Sequence, residues 1–277
     1  MTGRSGITVI MPAFNAAPWI GSAIESVLLQ SETSWELLIV DDGSSDSTRD
    51  IADRYAAMDG RVRRTSNSRT KGAAGSRNTG LAEARSEYVF FLDSDDVLLP
   101  DSPELLRGLV RGSGFDAARG EMSFYCHQRW LAGEPAENSG RSEIRASGYP
   151  ASGFTLHLYR KDFLAASGIV FPEGLGIGED RVFLWQVYSR LSQIPVVHAP
   201  VYLYRLNHGP RHPSVAKSRD FLSGLARIRA HCAEKGRADM AAPLLDIAFI
   251  PEWLGRLHTV YMENRREAQA FLDGCGA

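Results

Sequence analysis

The chain has 277 residues, enough to bury a sizeable core in one large α/β domain or in one and a half smaller ones. Its 31 basic and 33 acidic residues give a net charge of −2, which argues against nucleic acid as the main partner. The sequence shows neither the apolar core of a signal peptide nor a run of about 18 apolar residues that could span a membrane. The three cysteines are far apart and lack metal-binding spacing, so we expect a reduced, cytoplasmic compartment.

The first hundred residues alternate short apolar runs with helical patterns. ITVIM (7–11), ELLIV (36–40) and YVFFL (88–92) are continuous and rich in β-branched or aromatic residues, which is typical of strands buried on both faces of a parallel sheet. Helices are predicted from Pro18, after the GSSDS turn, and over roughly 74–85. This order predicts an open, doubly wound α/β sheet.

The second half of the chain has a looser pattern. The stretch 132–153 is rich in Gly, Ser, Pro and Glu and predicts a long loop. FTLHLYR (154–160) predicts a strand, EDRVFLWQVYSRL (179–191) a helix, and 195–205 one or two further strands. The tail from about 218 predicts helices. We therefore expect one domain over 1–215, with halves at 1–100 and 101–215, and a helical C-terminal extension over 216–277.

Polar groups follow each of the three early strands. The first strand runs into Pro12 and Ala13, the second into Asp41, and the third into a run of acidic residues. In doubly wound sheets, ligands bind in the crevice beyond the carboxyl ends of the strands. We therefore expect a binding site where these three ends meet.

In the stretch YVFFLDSDDVLLP (88–100), a predicted buried strand is followed directly by three carboxylates, those of Asp93, Asp95 and Asp96. Their mutual repulsion requires a cation or a row of hydrogen-bond donors nearby. Hard carboxylate oxygens suit Mg²⁺ or Mn²⁺, which take one or two protein carboxylates together with the phosphates of a substrate. The alternative is that the acids only cap a following helix.

Two other segments support a nucleotide ligand less specifically. VDDGSSDST (40–48) contains Asp41 but is also a good turn and helix cap. SRTKGAAGSRNTG (68–80) combines glycines with Lys71 and Arg77, which suits a diphosphate or a base, although a solvated basic turn would look the same. Neither G-x-G-x-x-G after the first strand nor a P-loop motif is present.

These motifs, taken in order, resemble the GT-A-fold glycosyltransferases of family 2. The resemblance is carried by MPAFNAAPWIGSAIESVLLQSETSWELLIVDDGSSDST and GAAGSRNTGLAEARSEYVFFLDSDDVLLP, and more loosely by GLGIGEDRVFLWQ. It implies a GT-A fold and transfer of a sugar from a nucleoside diphosphate. The residues that it implies for donor binding are Pro12, Ala13, Asp41, Lys71, Arg77, Asp93, Ser94 and Asp95.

The resemblance also implies individual roles. Asp41 would accept N–H groups of the base, Asp93 would contact the ribose, and Asp95 would hold the metal. Asp180, with Glu179 beside it, matches the family's catalytic base. The acid pair also fits an ordinary first helical turn.

The resemblance predicts a metal-dependent transfer of a sugar with inversion at the anomeric centre. The preferred donor is a UDP-sugar, and the acceptor is a hydroxyl of a glycan, a lipid-linked saccharide or a small metabolite. The metal stabilises charge on the departing diphosphate, and a carboxylate takes the acceptor's proton from the opposite face of the sugar. The alternatives are a sugar nucleotidyltransferase, which lacks support because MPAFNAAP has no Gly-rich basic loop, and an inactive module that binds sugar nucleotides or glycans.

Weaker signals remain as candidates. His208 is a further candidate metal or phosphate ligand, against the alternative of a surface histidine. Tyr202 is a candidate for stacking on a sugar, whereas the helical spacing of Trp185 favours the core. The stretch 243–257 is apolar enough to contact a membrane surface or another subunit, with core packing as the default. The sequence does not specify the oligomeric state.

Overall fold

A computed structural model gives the fold and describes residues 6–31, 33–126, 129–131, 140–143, 153–205 and 215–236. The strands are β1 (Ile7–Ala13), β2 (Trp35–Asp41), β3 (Val62–Ser66), β4 (Tyr88–Phe91), β5 (Val97–Leu98), β6 (Ala117–Cys126), β7 (Arg129–Leu131), β8 (Gly140–Glu143), β9 (His157–Arg160) and β10 (Gln193–Arg205). The α-helices are α1 (Ile20–Leu28), α2 (Thr48–Met58), α3 (Ala73–Glu83), α4 (Ser102–Val110), α5 (Lys161–Ala166), α6 (Glu179–Tyr188) and α7 (Val215–Glu234).

All the described strands join one twisted sheet, with the main order β3-β2-β1-β4-β9-β6-β10-β5. The first four of these strands are mutually parallel, which was predicted for β1, β2 and β4. Strand β9 is antiparallel to both β4 and β6, so the second half of the sheet is mixed. The sheet and its flanking helices form the predicted GT-A architecture.

Side chains of the central strands alternate between two cores, one on each face of the sheet. Val9 and Met11 of β1 pack on the face that carries α1, α2 and α4. Ile10, between them in sequence, faces α3, α6 and α7 on the other side. All three side chains are fully buried. Burial on both faces explains why β1 is a continuous apolar run rather than an alternating one.

Several elements differ from the sequence-based expectation. β3, β5 and β6 were not predicted, because they are short or lack a strong apolar pattern, and the amphipathic α4, which buries Leu106 and Val110, was missed as well. The predicted loop over 132–153 contains the strand β8, and the predicted strand over 154–160 begins only at His157, after a single 3-10 turn. Helix α6 ends at Tyr188 instead of position 191. The stretch 195–205 belongs to one irregular strand, β10.

The described part of the C-terminal extension is α7, which begins one residue before the predicted boundary. Its Ile228 and Cys232 are buried in the same core as α6. The apolar stretch 243–257 lies outside the described residues. Of the helices that the structure describes, none combines the length and the apolar character needed to cross a bilayer.

A buried histidine gives the fold a pH-dependent stability. His157 of β9 is fully buried, with Nε2 2.8 Å from the Tyr188 hydroxyl. Burial, with the nearby Arg119 charge, lowers the pKa of His157 to about 3. Because the unfolded chain binds a proton near pH 6.5 and the folded chain does not, the unfolding free energy should fall as pH drops below about 6.5.

We predict that His157→Gln, which cannot titrate, removes this dependence. Between pH 6.5 and 5 the wild type should lose about 2 kcal/mol more unfolding free energy than the variant. Urea unfolding at each pH measures the difference, and the other titrating groups cancel in the comparison. His198→Gln, at a half-exposed site, is the control. Equal pH dependence in wild type and His157→Gln would contradict the assignment.

Candidate active site

The carboxyl ends of β1, β2 and β4 meet at one edge of the sheet, as predicted. In the β1–β2 register, Pro12 lies opposite Val40 and Ala13 opposite Asp41. The amide of Leu92, just after β4, donates to the Ile10 carbonyl at 3.0 Å, so this strand end lies beside β1 as well. We call the space beyond these three ends the crevice.

The loop after β1 is fixed to the turn after β2. The amide of Asn15 donates to the Ser44 hydroxyl at 3.0 Å, and the amide of Ala16 donates to the Thr48 hydroxyl at 2.7 Å. Asn15 adopts a left-handed conformation with φ 49°, which an asparagine tolerates better than most residues. Phe14 stays about half exposed on this loop. One wall of the crevice is therefore rigid and presents an aromatic ring.

Asp41 lies at the base of this wall and already has several partners. Its carboxylate accepts hydrogen bonds from the amides of Gly43 and Ser44 and from Nε of Arg49, the last at 2.7 Å. Burial opposes ionisation, but these hydrogen bonds outweigh it and hold the pKa of Asp41 below its ordinary value. A nucleobase that binds Asp41 must share the carboxylate with Arg49. No motif in the sequence identifies Arg49, which lies in the first turn of α2.

The three acids after β4 have different environments, which explains how they coexist. Asp93 is ion-paired with Arg77, with 2.8 Å between Oδ1 and the guanidinium nitrogen. Asp96 is buried and turned inward, where it accepts hydrogen bonds from the Tyr202 hydroxyl and the Arg205 amide, both at 2.8 Å. Asp95 is half-buried at the crevice.

Burial, together with the charges of Asp93 and Asp95, raises the pKa of Asp96 to about 8. A mostly neutral Asp96 and a salt-bridged Asp93 relieve the repulsion that the sequence implies. Tyr202 is fully buried, and its hydroxyl also accepts the Asp93 amide at 3.1 Å. Its proposed role in stacking on a sugar is therefore wrong. Tyr202 instead fixes the acidic turn, whereas Trp185 is in the core as predicted.

Arg77 joins this acidic turn to the start of α6. Its side chain is only 6% exposed, and its guanidinium contacts Glu179 at 3.0 Å as well as Asp93. Burial favours the neutral form of Arg77, but the Asp93 and Glu179 charges outweigh it and raise its pKa. The guanidinium also lies 4.5 Å from the ring centre of Phe154. The two acidic motifs, which are distant in sequence, therefore share one buried cation.

The two acids at the start of α6, Glu179 and Asp180, also lie in different environments. Gly178, with φ 87°, precedes the helix and turns the chain into it. Burial raises the pKa of Glu179, with Arg77 opposing and Asp180 adding to the shift. Asp180 is half-buried and its Oδ1 accepts the Arg181 amide at 2.8 Å. Glu179 is thus paired with Arg77, whereas the hydrogen bond of Asp180 stays within the first turn of α6.

The basic segment before α3 also reaches the crevice. We call residues 67–72 the 67–72 loop. Two of its groups donate to the Asp42 carboxylate, the Asn67 amide nitrogen at 2.6 Å and the Gly72 backbone amide at 2.8 Å. Nζ of Lys71 lies 4.8 Å from the centre of the Phe14 ring. Lys71 therefore faces the loop after β1.

The remaining predicted residues are placed as follows. Ser94 is half-buried in the turn between Asp93 and Asp95. His208 lies outside the described residues.

Arg205, at the end of β10, holds the acidic turn through a 2.9 Å hydrogen bond from its Nε to the Asp95 carbonyl. Its place there was not predicted, because this contact spans 110 residues of sequence.

The donor chemistry of the acidic turn fits a divalent cation. Asp95 and Asp93 offer hard oxygen ligands, and Asp93 already uses one oxygen for Arg77. Within the described part of the chain, no three His, Cys, Asp or Glu side chains form a group that could hold a metal alone. One or two carboxylates suffice for Mg²⁺ or Mn²⁺ when substrate phosphates supply further ligands.

Comparison with known families decides the classification of this site. The family model described as "Glycosyl transferase family 2" matches residues 8–153, more than half of the chain. The chain belongs to glycosyl transferase family 2. The match begins within β1 and runs beyond the acidic turn, so it includes the three strand ends and the 67–72 loop.

Curated relatives of this family 2 chain differ in how much they share with it. Glycosyltransferase GlyG of Streptococcus pneumoniae is 28% identical, with 97% of this chain and 93% of that protein covered. EpsJ of Bacillus subtilis, an uncharacterized glycosyltransferase, is 25% identical, but the match spans only 61% of its length. WfgD of Escherichia coli, a UDP-Glc:alpha-D-GlcNAc-diphosphoundecaprenol beta-1,3-glucosyltransferase, is 42% identical over 36% of this chain and 38% of its own length.

Solved structures share the fold. TarS of S. aureus, residues 1–349 in complex with UDP-GlcNAc, matches with a TM-score of 0.73 and 21% identity over 96% of this chain and 83% of that chain. The mannosyltransferase PcManGT of Pyrobaculum calidifontis, in complex with GDP-Man and Mn²⁺, matches with a TM-score of 0.62 and 18% identity over 99% and 80%. At these identities the likeness establishes the GT-A fold.

We predict that Arg77→Leu strongly destabilises the protein, because it leaves Asp93 and Glu179 partly buried without their cation. The expected loss is about 3–5 kcal/mol in the free energy of unfolding. Adding Glu179→Gln to this variant should restore part of the loss, since it removes one uncompensated charge. Chemical unfolding measures both, with the exposed Arg111→Leu as the control. A loss below about 1 kcal/mol in Arg77→Leu would contradict the described role.

Proposed function

We propose that this protein transfers a sugar from a nucleoside diphosphate, preferably UDP, to an acceptor hydroxyl in a metal-dependent reaction that inverts the anomeric centre. The acceptor class is a glycan, a lipid-linked saccharide or a small metabolite. The observation that carries the proposal is the Arg77 bridge. Through this bridge, the acids after β4 and the acids at the start of α6 lie at one crevice.

The donor side of the proposal rests on the strand ends. Pro12 and Ala13 would line the base site, and Asp41 would accept an N–H of the base beside Arg49. The half-exposed Phe14 and the ammonium group of Lys71 face the same region. Asp93 would contact the ribose while its other oxygen keeps the salt bridge to Arg77. Cations on this wall suit the negative charge of a diphosphate.

Asp95, with Asp93 and Ser94 beside it, would hold Mg²⁺ or Mn²⁺, and His208 is a further candidate ligand. A divalent cation at this turn would stabilise the negative charge that develops on the departing diphosphate. The contribution of the chain itself is to keep the carboxylate of Asp95 at the crevice. Arg205 and Tyr202 support this by fixing the turn from behind.

Asp180 is the proposed general base, and Glu179 its positioning neighbour. A carboxylate that takes the proton from an acceptor hydroxyl during attack lowers the barrier to transfer. Because Glu179 is held by Arg77, the first turn of α6 has a fixed orientation toward the acidic turn. Attack opposite the departing diphosphate would invert the sugar's configuration.

Related proteins support a sugar nucleotide as donor but not a particular one. The name of WfgD specifies UDP-Glc, TarS was solved with UDP-GlcNAc, and PcManGT with GDP-Man. Two of these three carry uridine, which favours UDP here. The matches to EpsJ and WfgD cover less than two thirds of those proteins, so we extend no acceptor from them.

The rival functions find less support. A nucleotidyltransferase would need a Gly-rich basic loop after β1, where this chain has Phe14 and Asn15. An inactive binding module would have no use for a half-buried Asp180 held beside a shared cation. We keep the predicted halves 1–100 and 101–215 as donor and acceptor regions. A cytoplasmic location with peripheral contact at a membrane also stays a prediction.

We predict that Asp180→Asn abolishes transfer while sparing donor binding, since the amide cannot accept the acceptor's proton. The rate of transfer should fall about 10²- to 10⁴-fold, with the UDP dissociation constant within about twofold of wild type. Transfer is measured by release of UDP from a panel of UDP-sugars and acceptors. Glu104→Gln, on the exposed face of α4, is the control. Full turnover in Asp180→Asn would remove this residue as the base.

Asp95→Asn, unlike Asp180→Asn, should weaken donor binding when metal is present. We expect UDP affinity in the presence of Mn²⁺ to weaken about tenfold or more, because a metal ligand is lost, and affinity in EDTA to change little. Calorimetric titration of UDP under both conditions measures the effect. If Asp95→Asn bound UDP with Mn²⁺ as tightly as the wild type, the metal would have to be assigned elsewhere.

A further inference from the structure

A carboxylate outside the predicted site holds the 67–72 loop from the side of α6. Glu173 accepts hydrogen bonds from the Thr70 amide at 3.3 Å and from the Asn78 side chain at 3.0 Å, and it lies 3.4 Å from the Arg69 guanidinium. The hydrogen bonds from Thr70 and Asn78 hold the pKa of Glu173 below its ordinary value. These contacts join two parts of the chain that are about 100 residues apart.

Glu173 itself is anchored from behind by a buried asparagine. Asn78 of α3 is 3% exposed and clamps the backbone of Phe171, donating to its carbonyl at 2.8 Å and accepting its amide at 2.9 Å. The residues from Phe171 to Gly178, which we call the 171–178 segment, lead directly into α6. The position of Glu173 is therefore set by α3 and by the path of the chain into the acid pair.

The 67–72 loop is consequently held at two points. On one side Asp42, at the end of β2, receives hydrogen bonds from Asn67 and Gly72. On the other side Glu173 receives the Thr70 amide. Between these two carboxylates lies Lys71, which faces Phe14. A cavity of about 330 Å³ lies between the loop and the 171–178 segment, with Glu179 in its wall.

We infer that Glu173 is a positioning residue of the donor site, which fixes the 67–72 loop so that Lys71 faces the nucleotide. The identity of the ligand in this inference rests on the proposed function, whereas the placement of the loop rests on the contacts described above. Charge-assisted hydrogen bonds from a backbone amide and a guanidinium are stronger than neutral ones, so a carboxylate suits this task. The 67–72 loop is thereby attached to the 171–178 segment, which leads into the helix that carries the proposed base.

The test compares Glu173→Ala and the milder Glu173→Gln with wild type by residue-resolved amide hydrogen exchange without nucleotide. Loss of the direct contact accelerates exchange at Thr70 under any interpretation. Gly72 is different, because its partner is Asp42 and stays in place. We expect exchange at Gly72 to accelerate about fivefold or more in Glu173→Ala, and less in Glu173→Gln. Acceleration at Thr70 alone would overturn the inference.

The second measurement is the affinity for UDP with Mn²⁺, which should weaken about fivefold in Glu173→Ala. Glu87→Ala is the matched control, because Glu87 is also a partly exposed carboxylate paired with an arginine, Arg160 at 2.6 Å, but lies at the amino end of β4. The UDP affinity of the control should equal that of wild type. Unchanged UDP affinity in Glu173→Ala, or an equal loss in both variants, would overturn the inference.

The two proposals fail in different ways. If the wild-type protein bound no UDP, the proposed function would be contradicted for this donor. Exchange at Gly72 would still decide whether Glu173 positions the loop, since it is measured without nucleotide. If wild type bound UDP and Gly72 exchange did not respond to Glu173→Ala, the proposed function would stand and the role of Glu173 would be wrong.

Discussion

The buried guanidinium of Arg77 is the interaction on which the rest of the site depends. It is almost inaccessible to solvent and contacts a carboxylate from each half of the chain, Asp93 and Glu179. An isolated charge at such a depth would be very unfavourable, and the two carboxylates would repel each other without it. The cation and its partners therefore require one another, and this requirement fixes the distance between the acidic turn and α6.

Helix α3 extends this organisation over consecutive residues. Arg77 binds the acidic turn and α6, Asn78 clamps the 171–178 segment, and Thr79 donates to the Asn67 side chain at 2.9 Å. A helix whose polar side chains are buried is normally unfavourable, yet each of these groups has a partner in another element. Gly80, one position later, packs so closely on Ile10 that an added Cβ would lie 2.3 Å from a side-chain carbon. The small residue lets α3 lie directly on β1.

The sequence predicted the parts of the fold that follow from local patterns. Continuous apolar runs identified β1, β2 and β4, because strands buried on both faces need such residues, and strand ends followed by acids indicated the crevice. The edge strand β3, with the sequence VRRTS, was missed because an edge strand can be polar. Spacing along the chain also could not show that Asp96 turns inward to Tyr202 and Arg205, since those contacts depend on β10 returning beside β5.

Contacts between residues that are distant in sequence also account for the site residues that the sequence did not identify. Arg49, Glu173 and Arg205 act through contacts with residues that are distant in sequence or on another element, and no local motif identifies them. Asp93, Asp95 and Asp180 were predicted from the sequence, because the family resemblance and the acidic clusters coincide there. The crevice is thus partly a local feature of strand ends and partly a product of the tertiary bridge through Arg77.

The most direct test of this account is a crystal structure of the protein with UDP and Mn²⁺, with the metal located by its anomalous scattering. The account predicts UDP in the crevice, with its base near Asp41, and a manganese peak at bonding distance from the Asp95 carboxylate. The salt bridges of Arg77 to Asp93 and Glu179 should remain intact. A nucleotide bound away from the three strand ends, or manganese on other residues while Asp95 contacts neither metal nor phosphate, would contradict it.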